Sequence, residues 1–381
     1  MLKSRMIKEN VSFAVFSFVN ILFSVKYFSR YTEYYLFFVV VLFIFHVFIF
    51  YKGNSLQLFA KRSALINSLL LIFFSIGSIF VFSKVPAESL NTDRWSVISS
   101  FWDNFFDKNY VYYAKSHLGN YPGPMPFYYI LALPFYFIGE LGFFSLSGIF
   151  VFFLLLKYMN IKPCYQTIAL LLVLTSPFYF WEILSRSNIF LNATLIVFSI
   201  AFFFKIKKYD SFKNQLLLGT IIGLLLSTRN IFALCYVILF LYGLKSKKIN
   251  IKSVMIIGCI SLFAFALTFI PFVIGFMEDF LKMNPFIIQS SFLMPTGWVL
   301  VAIFCSFFLF LFCKKDADVL FYCGTILFFT IMLYFTYHSL STSVYEAFIE
   351  KSTIDVSYFI LCIPFFLCYI LKDKTEIANT Y

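Results

Sequence analysis

The chain has 381 residues, of which 61% are hydrophobic and 13% are charged, and its mean hydropathy is +0.89. Soluble globular domains contain about 45–50% apolar and about 25% charged residues. This composition therefore excludes a soluble globular protein, a disordered chain and a secreted disulfide scaffold, and leaves a multi-span membrane protein.

A helix needs about 20 mainly apolar residues to cross roughly 30 Å of hydrocarbon. The sequence predicts an all-α polytopic transmembrane helical bundle of about twelve spans, in a single membrane domain covering 1–381. Two of these spans, 214–228 and 231–244, are short and could be a tight helical hairpin or one long broken element. The predicted spans are 11–27, 34–51, 63–83, 141–157, 164–181, 188–204, 214–228, 231–244, 253–276, 296–313, 318–337 and 355–371.

The basic segment 1–10 precedes the first apolar run, as in a signal peptide. No cleavage pattern of small residues follows it, so we expect a retained span. With the N-terminus inside, most of the 30 Lys and Arg residues fall in inner segments, as the positive-inside rule requires. The net charge of +12 is therefore mainly a topology signal. A basic surface for nucleic acid is the weaker interpretation, and no nucleic-acid partner is expected.

Both termini are then cytoplasmic, and the expected location is a bacterial inner or plasma membrane. None of the eight cysteines lies in a predicted outer loop, and no CxxC motif occurs. We interpret them as small buried hydrophobic residues without a disulfide or a zinc site. The chain also has no P-loop, GxGxxG or HExxH motif, so any energy for function must come from the substrate or from a gradient.

One long outer loop, 84–140, follows the third span. Long loops usually carry function, although a solvated connector is the alternative. The apolar stretch 127–138 near its end has only about 12 residues, too few to cross, and is predicted to lie at the interface. Asp93 could act as a general base near the membrane surface; the alternative is a surface carboxylate paired with Arg94.

Three other loop residues are weaker candidates. Asp103 and Asp107 are four residues apart and would share one helix face. They could hold a divalent cation through oxygen ligands, although a solvated face is the commoner explanation. His117 is a lone loop histidine, which is more often structural than catalytic.

Two arginines, Arg186 and Arg229, lie at outer span boundaries. An arginine against hydrocarbon is costly unless it is paired or wet, and is by default a functional candidate. Its guanidinium can hold a phosphate through two parallel hydrogen bonds. The alternative is an interfacial anchor whose charge reaches the headgroups.

The order of these features resembles the C-fold (GT-C) membrane glycosyltransferases, which include mannosyltransferases that use lipid-phosphate sugars. The resemblance rests on the acidic residue that opens the outer loop, a proline-rich stretch, a Ser-Pro segment followed by Arg, and a Gly-Leu-rich span that ends in a basic residue. These elements are matched by Asp93, Pro122–Pro126, Thr175–Arg186 and Gly223–Arg229. The similar region, 63–245, would be the catalytic core.

Segment 1–62 would then be an added N-terminal span pair, and 246–381 a set of C-terminal spans. The chain departs from the family pattern at three points. Pro124-Met-Pro126 stands where many members have His-Pro-Pro, Arg229 replaces a lysine, and Asp93 is a single acidic residue rather than one of a pair. The last difference leaves metal dependence open; no cofactor is assigned, and a divalent cation remains an option.

The resemblance implies an inverting sugar transfer on the outer face, from a polyprenyl-phosphate donor to a glycan, lipid or protein acceptor in cell-envelope glycan biosynthesis. Asp93 would be the general base. The lipid phosphate would be bound by Arg186, Arg229 and Asn230. Contacts with the sugar or acceptor would come from Arg94, Trp95, Tyr113 and His117.

Three alternatives stay open. A polysaccharide or lipid-linked oligosaccharide flippase is also basic and aromatic, but tends to show internal repeats and polar residues at the midplane. An O-antigen polymerase or ligase usually carries its large loop late in the chain, whereas the long loop here lies in the first third. The third is a membrane protein whose transferase site has decayed.

Overall fold

The computed structural model describes residues 2–53, 62–292, 294–341, 345, 348 and 354–377. Within these ranges the chain forms α-helices joined by loops and short 3-10 turns, and no strand. This follows from the composition, because a backbone in hydrocarbon must satisfy its polar groups within the segment, as a helix does. The predicted fold class, an all-α helical bundle, is confirmed.

The helices are numbered in chain order. They are α1 (Leu2–Phe28), α2 (Tyr35–Lys52), α3 (Ser63–Lys84), α4 (Arg94–Phe106), α5 (Pro126–Ile138), α6 (Gly142–Tyr158), α7 (Pro163–Leu174), α8 (Pro177–Ser185), α9 (Ile189–Lys205), α10 (Phe212–Leu226), α11 (Ala233–Lys245), α12 (Ile251–Leu267), α13 (Ile270–Val273), α14 (Met277–Lys282), α15 (Pro285–Phe292), α16 (Thr296–Leu309), α17 (Asp316–Ser341) and α18 (Ile363–Ile377).

Several helices are long and apolar enough to span a membrane, as expected, but the count of twelve spans is not confirmed. In the described part of the chain, six helical segments pass on length and composition, and up to eight if each of two bent helix pairs counts as one span. The six are Arg5–Phe28, Tyr35–Lys52, Ser63–Lys84, Ile251–Val273, Asp316–Leu340 and Val356–Thr375.

The predicted count of twelve spans exceeds the upper count of eight because of four apolar helices of only 10–17 residues. They are Ile189–Lys205, Phe212–Leu226, Asn230–Lys245 and Thr296–Phe312. At about 1.5 Å per residue, a 15-residue helix is only about 22 Å long. That is shorter than the roughly 30 Å of hydrocarbon. Apolar character alone therefore led to four predicted spans that the helix lengths do not support.

Helix α5 belongs to the first bent pair and does not continue into α6. Gly139 ends α5 in a left-handed conformation, with φ of +82°, which glycine adopts without a Cβ clash. The chain then turns by 119° into α6. Helix α5 has only 13 residues, in agreement with the expectation that 127–138 is too short to cross.

Charged residues that are distant in sequence meet at one end of the bundle, here called the lysine-rich end. Asp373 pairs with both Arg5 and Lys315, and the Lys8 Nζ donates a hydrogen bond to Asp318 Oδ1 at 2.8 Å. All five residues were predicted to lie in or next to inner segments. Their contacts bring together the first turns of α1 and α17 and the last turns of α18. Helices that cross a membrane in alternating directions would have these ends on one side.

The outer loop gathers at the opposite end, here called the loop end. There, the Lys26 Nζ at the end of α1 donates to the Ile354 carbonyl oxygen at 2.8 Å. The Arg94 guanidinium at the start of α4 pairs with Asp355. Helix α1 therefore runs between the two ends and packs against α18 and α8. Which end faces the cytoplasm stays a prediction.

The core lies around α9 and α18, which contact each other and are almost fully buried. By contrast, α2 and α3 expose large apolar side chains such as Phe37 and Phe73, as lipid-facing helices would. Five of the eight cysteines are buried, and all eight are free thiols. The interpretation as small buried hydrophobic residues therefore holds for five of them, whereas Cys259 is exposed and Cys164 and Cys305 are half-buried.

Helices α10 and α12 approach closely at two glycines. A Cβ added at Gly223 would lie 2.2 Å from the Ser261 carbonyl oxygen, and one at Gly219 would lie 2.7 Å from Ile260 side-chain atoms. Small residues four positions apart are a common way for membrane helices to bring their backbones together. This contact fixes α10, whose end leads directly into Arg229.

Candidate functional site

Asp93 immediately precedes α4 and is held by the loop segment that follows this helix. Its Oδ2 accepts hydrogen bonds from the Ser116 Oγ at 2.8 Å and from the Asn120 Nδ2 at 2.7 Å. The loop returns to Asp93 through a turn at Gly119, whose φ is +82°. No described residue donates to Oδ1, so one carboxylate oxygen keeps its lone pairs for another partner.

Arg229 lies in the turn between α10 and α11, and the proline-rich stretch docks on that turn. The backbone N–H of Met125 donates to the Thr228 carbonyl at 3.4 Å. The backbone N–H of Phe127 donates to the Ser227 Oγ at 3.2 Å. These bonds place the start of α5 beside Arg229, with its guanidinium carbon 5.8 Å from the ring centroid of Tyr128.

The Arg229 guanidinium has no counter-ion in direct contact among the described residues, although it interacts electrostatically with the buried carboxyl of Glu182. Its Nε is buried without a hydrogen-bond partner, and no described carboxylate forms an ion pair with it. A buried cationic donor without a partner is costly. An anion that enters from the adjoining cavity would satisfy it.

Asp93 and Arg229 line the same cavity, which has a volume of about 520 Å³ and lies at the loop end. Arg94 and Asn230 line it as well, so four of the eight predicted site residues come together. Its apolar wall includes Val97, Ile231, Ile288, Ile331 and Leu361. Its remaining polar wall includes Asn120, Tyr121, Tyr128, Gln289, Thr330, Tyr334, His338, Asp355 and Tyr358.

The cavity contains two carboxylates in different surroundings. Asp355 pairs with Arg94 and accepts hydrogen bonds from the Ser357 backbone N–H at 2.9 Å and side chain. Burial opposes its charge, but Arg94 and Ser357 outweigh burial and hold the pKa of Asp355 below its ordinary value. A low pKa makes a poor proton acceptor. Asp93, whose hydrogen-bond partners are neutral, is the better placed base.

Arg186 lies apart from this cavity. It is only 1% exposed, its Nε lies 3.2 Å from Glu140 Oε1, and it donates to the Val85 and Leu184 carbonyls at 2.8 Å each. Its φ of +55° ends α8 in a left-handed turn. These contacts make it a link between α8, the end of α3 and the start of α6.

The other predicted sugar contacts also lie outside the cavity lining. Trp95 stacks on His117 at 5.3 Å between ring centroids. The His117 Nδ1 lies 2.6 Å from the Ser96 Oγ, a hydrogen bond that anchors the loop to α4. The Tyr113 hydroxyl donates to Asp279 Oδ1 at 3.1 Å. Desolvation raises the pKa of Tyr113, and the hydrogen bond to this carboxylate raises it further.

Four polar residues of the cavity, Gln289, Tyr334, His338 and Asp355, were not proposed from the sequence as site residues. His338 packs edge-on against Tyr334, with 4.7 Å between ring centroids. Two of the four, His338 and Asp355, follow or begin predicted spans, where a polar residue at the outer boundary is the only signal that could have found them. The signal is weak, because such boundaries usually carry polar residues.

The described residues contain no group of three or more His, Cys, Asp or Glu side chains that could hold a metal ion. Of the pair considered for a divalent cation, Asp103 accepts a hydrogen bond from the Tyr136 hydroxyl at 2.7 Å, and Asp107 is exposed. Comparison with known proteins gives no further guidance, since no family model, curated protein or solved structure matches this chain.

Proposed function

We propose that this protein is a membrane glycosyltransferase that moves a sugar from a polyprenyl-phosphate donor to a glycan, lipid or protein acceptor at the loop end, on the outer face of the membrane. The observation that carries the proposal is the pairing of Asp93 and Arg229 on one cavity. Among the described residues, Asp93 offers a carboxylate oxygen that accepts no hydrogen bond, and Arg229 offers a cation that forms no ion pair.

The proposed reaction is a single displacement. The acceptor hydroxyl attacks the anomeric carbon of the sugar while its proton passes to Asp93 Oδ1. The new bond joins the acceptor oxygen to that carbon, and the bond from the carbon to the phosphate oxygen breaks. The electron pair leaves with the polyprenyl phosphate, and Arg229 stabilises the charge that develops there. Attack from the face opposite the phosphate inverts the anomeric configuration.

The cavity walls suit such a donor. Its apolar wall could take the first isoprene units, and Tyr128 and Tyr358 offer aromatic faces to a sugar. The Arg94–Asp355 pair is internally neutral, so Asp93 and Arg229 are the two charges of this cavity that form no ion pair with a described residue. The single positive charge of Arg229 matches a phosphodiester, which carries one negative charge.

The test uses the purified chain in lipid nanodiscs with a panel of polyprenyl phosphosugars and a lipid and glycan extract as acceptor. Release of polyprenyl phosphate with transfer of the labelled sugar is the expected result. Asp93→Asn should lower the rate by about 10²–10⁴-fold, the range of general-base catalysis. Asp107→Asn makes the same charge change on an exposed loop residue outside the cavity and should leave the rate unchanged.

Arg229→Ala should raise the donor concentration at half-maximal rate by about 10–100-fold, since a hydrogen bond to a charged group contributes about 1.5–3 kcal/mol. Lys282→Ala removes an exposed cation at the same end and serves as its control. Full transfer by Asp93→Asn would remove Asp93 as the base. Movement of the intact phosphosugar across the bilayer, with no bond cleavage, would favour the flippase instead.

A further inference from the structure

A second pocket, of about 710 Å³, opens at the lysine-rich end, far from the cavity of Asp93. It lies between the connection from α9 to α10 and the connection from α11 to α12. Four lysines and one aspartate line it: Lys207, Lys208, Lys247, Lys248 and Asp210. If this end is the cytoplasmic one, as predicted, the positive-inside rule accounts for its lysines, but the rule does not require that two separate connections form one concave surface.

The two connections are tied to each other. Asp210 Oδ1 accepts hydrogen bonds from the Asn250 Nδ2 at 2.7 Å and from the Ser253 Oγ at 2.9 Å. The Gln215 Nε2 of α10 donates to the same Ser253 Oγ at 2.9 Å. These bonds join the start of α12 to the connection before α10. These hydrogen bonds therefore hold the backbone frame of the pocket, while Lys207, Lys208 and Lys247 are exposed.

Its charge is mostly uncompensated. Lys248 pairs with Asp316, which lies outside the pocket lining. Lys207, Lys208 and Lys247 are exposed and form no ion pair with any residue of the described ranges. Three ammonium groups thus face a single aspartate, whose carboxylate is already engaged by neutral donors.

Lys247 is held in an unusual backbone conformation, with φ of +57°. A residue with a Cβ is strained in this region, whereas glycine adopts it readily. Lysine at this position gains nothing for the turn itself. Lys247 lines the pocket and is exposed, and its charged side chain is what distinguishes it from glycine.

We propose that this pocket binds a phosphate-bearing anion, such as the headgroup of an anionic membrane lipid. Basic pockets between helices on the cytoplasmic side suit such headgroups, and each basic residue near the surface contributes about a fivefold gain in affinity. The site is independent of the proposed transferase chemistry, because it lies at the other end of the bundle and shares no residue with the first cavity.

The experiment measures the thermal unfolding midpoint of the whole chain in a neutral detergent at low salt. Dihexanoyl phosphatidylglycerol, dihexanoyl phosphatidylcholine and inorganic phosphate are titrated separately. Phosphatidylglycerol should raise the midpoint in a saturable manner, and the zwitterionic phosphatidylcholine should not. A lipid headgroup is indicated if only phosphatidylglycerol binds, and a soluble phosphate if inorganic phosphate binds as tightly. The affinity should fall as salt is added.

Two triple variants carry the same change of charge. The pocket variant combines Lys207→Gln, Lys208→Gln and Lys247→Gln, and should weaken the apparent affinity by about a hundredfold. The control variant combines Lys157→Gln, Lys213→Gln and Lys252→Gln, three exposed lysines of the same end outside the pocket. It should bind as the unmodified chain does.

A single substitution keeps the test valid if the triple pocket variant does not fold. Lys247→Gly removes one ammonium group and places the residue best suited to the left-handed turn, so it should fold normally and bind about fivefold more weakly. The proposal is overturned if neither phosphatidylglycerol nor inorganic phosphate gives a saturable shift. Equal loss of affinity in the pocket and control variants would also overturn it, because the effect would then be one of net charge.

Discussion

The contacts of Arg186 predict that its substitution destabilises the fold rather than weakening donor binding. Arg186→Ala removes the ion pair with Glu140 and the hydrogen bonds to the Val85 and Leu184 carbonyls. These contacts join α8 to the end of α3 and the start of α6. The expectation opposes the role as a phosphate ligand that the family resemblance implies for this residue.

The expected magnitude follows from burial. Breaking a buried ion pair by removing one partner costs about 3–5 kcal/mol. Arg186 has a side-chain exposure of 1%, but that of Glu140 is 26%, so the carboxylate left behind keeps part of its hydration. We therefore expect a loss of about 3 kcal/mol in the free energy of unfolding. Arg186→Gly should lose about 1 kcal/mol less than Arg186→Ala, because the residue adopts a left-handed conformation.

The assay is reversible denaturant unfolding in mixed micelles, with donor dependence of transfer measured on the same preparations. The exposed Lys282→Ala variant controls for loss of a cation and should unfold as the unmodified chain does. The reasoning is refuted if the free energy of unfolding of Arg186→Ala lies within about 0.5 kcal/mol of that of the unmodified chain, the usual range for exposed positions, and if the variant also needs more donor for half-maximal rate. Arg186 would then be a ligand of the phosphate.

Two further substitutions test the packing and the second carboxylate. Gly223→Ala should destabilise the bundle by about 1–3 kcal/mol, because the added Cβ would meet the Ser261 carbonyl oxygen. The control Gly258→Ala, whose added Cβ has nothing within 4 Å, should leave the thermal midpoint unchanged. Equal midpoints for the two variants would contradict the close contact. Asp355→Asn leaves Arg94 without its counter-ion and should therefore lower the thermal midpoint. Sugar transfer should persist at a reduced rate. Complete loss of transfer in a folded protein would instead make Asp355 the base.

The sequence predicted the class of the fold because hydrocarbon leaves few alternatives. A helix is the simplest way for a chain of this composition to satisfy its backbone, and the lysines marked one end. The number of spans was less predictable. Apolar runs such as 188–204 and 214–228 read equally well as crossings or as short buried helices, and only the helix lengths separate the two.

Part of the candidate site could be predicted from the sequence because some of its residues stand at recognisable positions along the chain. Asp93 opens the outer loop and Arg229 ends an apolar run, and the structure places both on one cavity. Partnerships over long sequence separations carry no such signal. Glu140, the partner of Arg186, lies 46 residues away, and Asp355, the partner of Arg94, lies 261 residues away. An unpaired and a paired arginine look the same in a sequence.

The most direct measurement is an experimental structure of the chain with polyprenyl phosphate bound, which needs no knowledge of the sugar or acceptor. We expect the phosphate within hydrogen-bond distance of Arg229, the first isoprene units against the apolar wall, and Asp93 across the cavity with space for a sugar between them. A phosphate bound at Arg186, or outside the cavity that Asp93 and Arg229 share, would contradict the account.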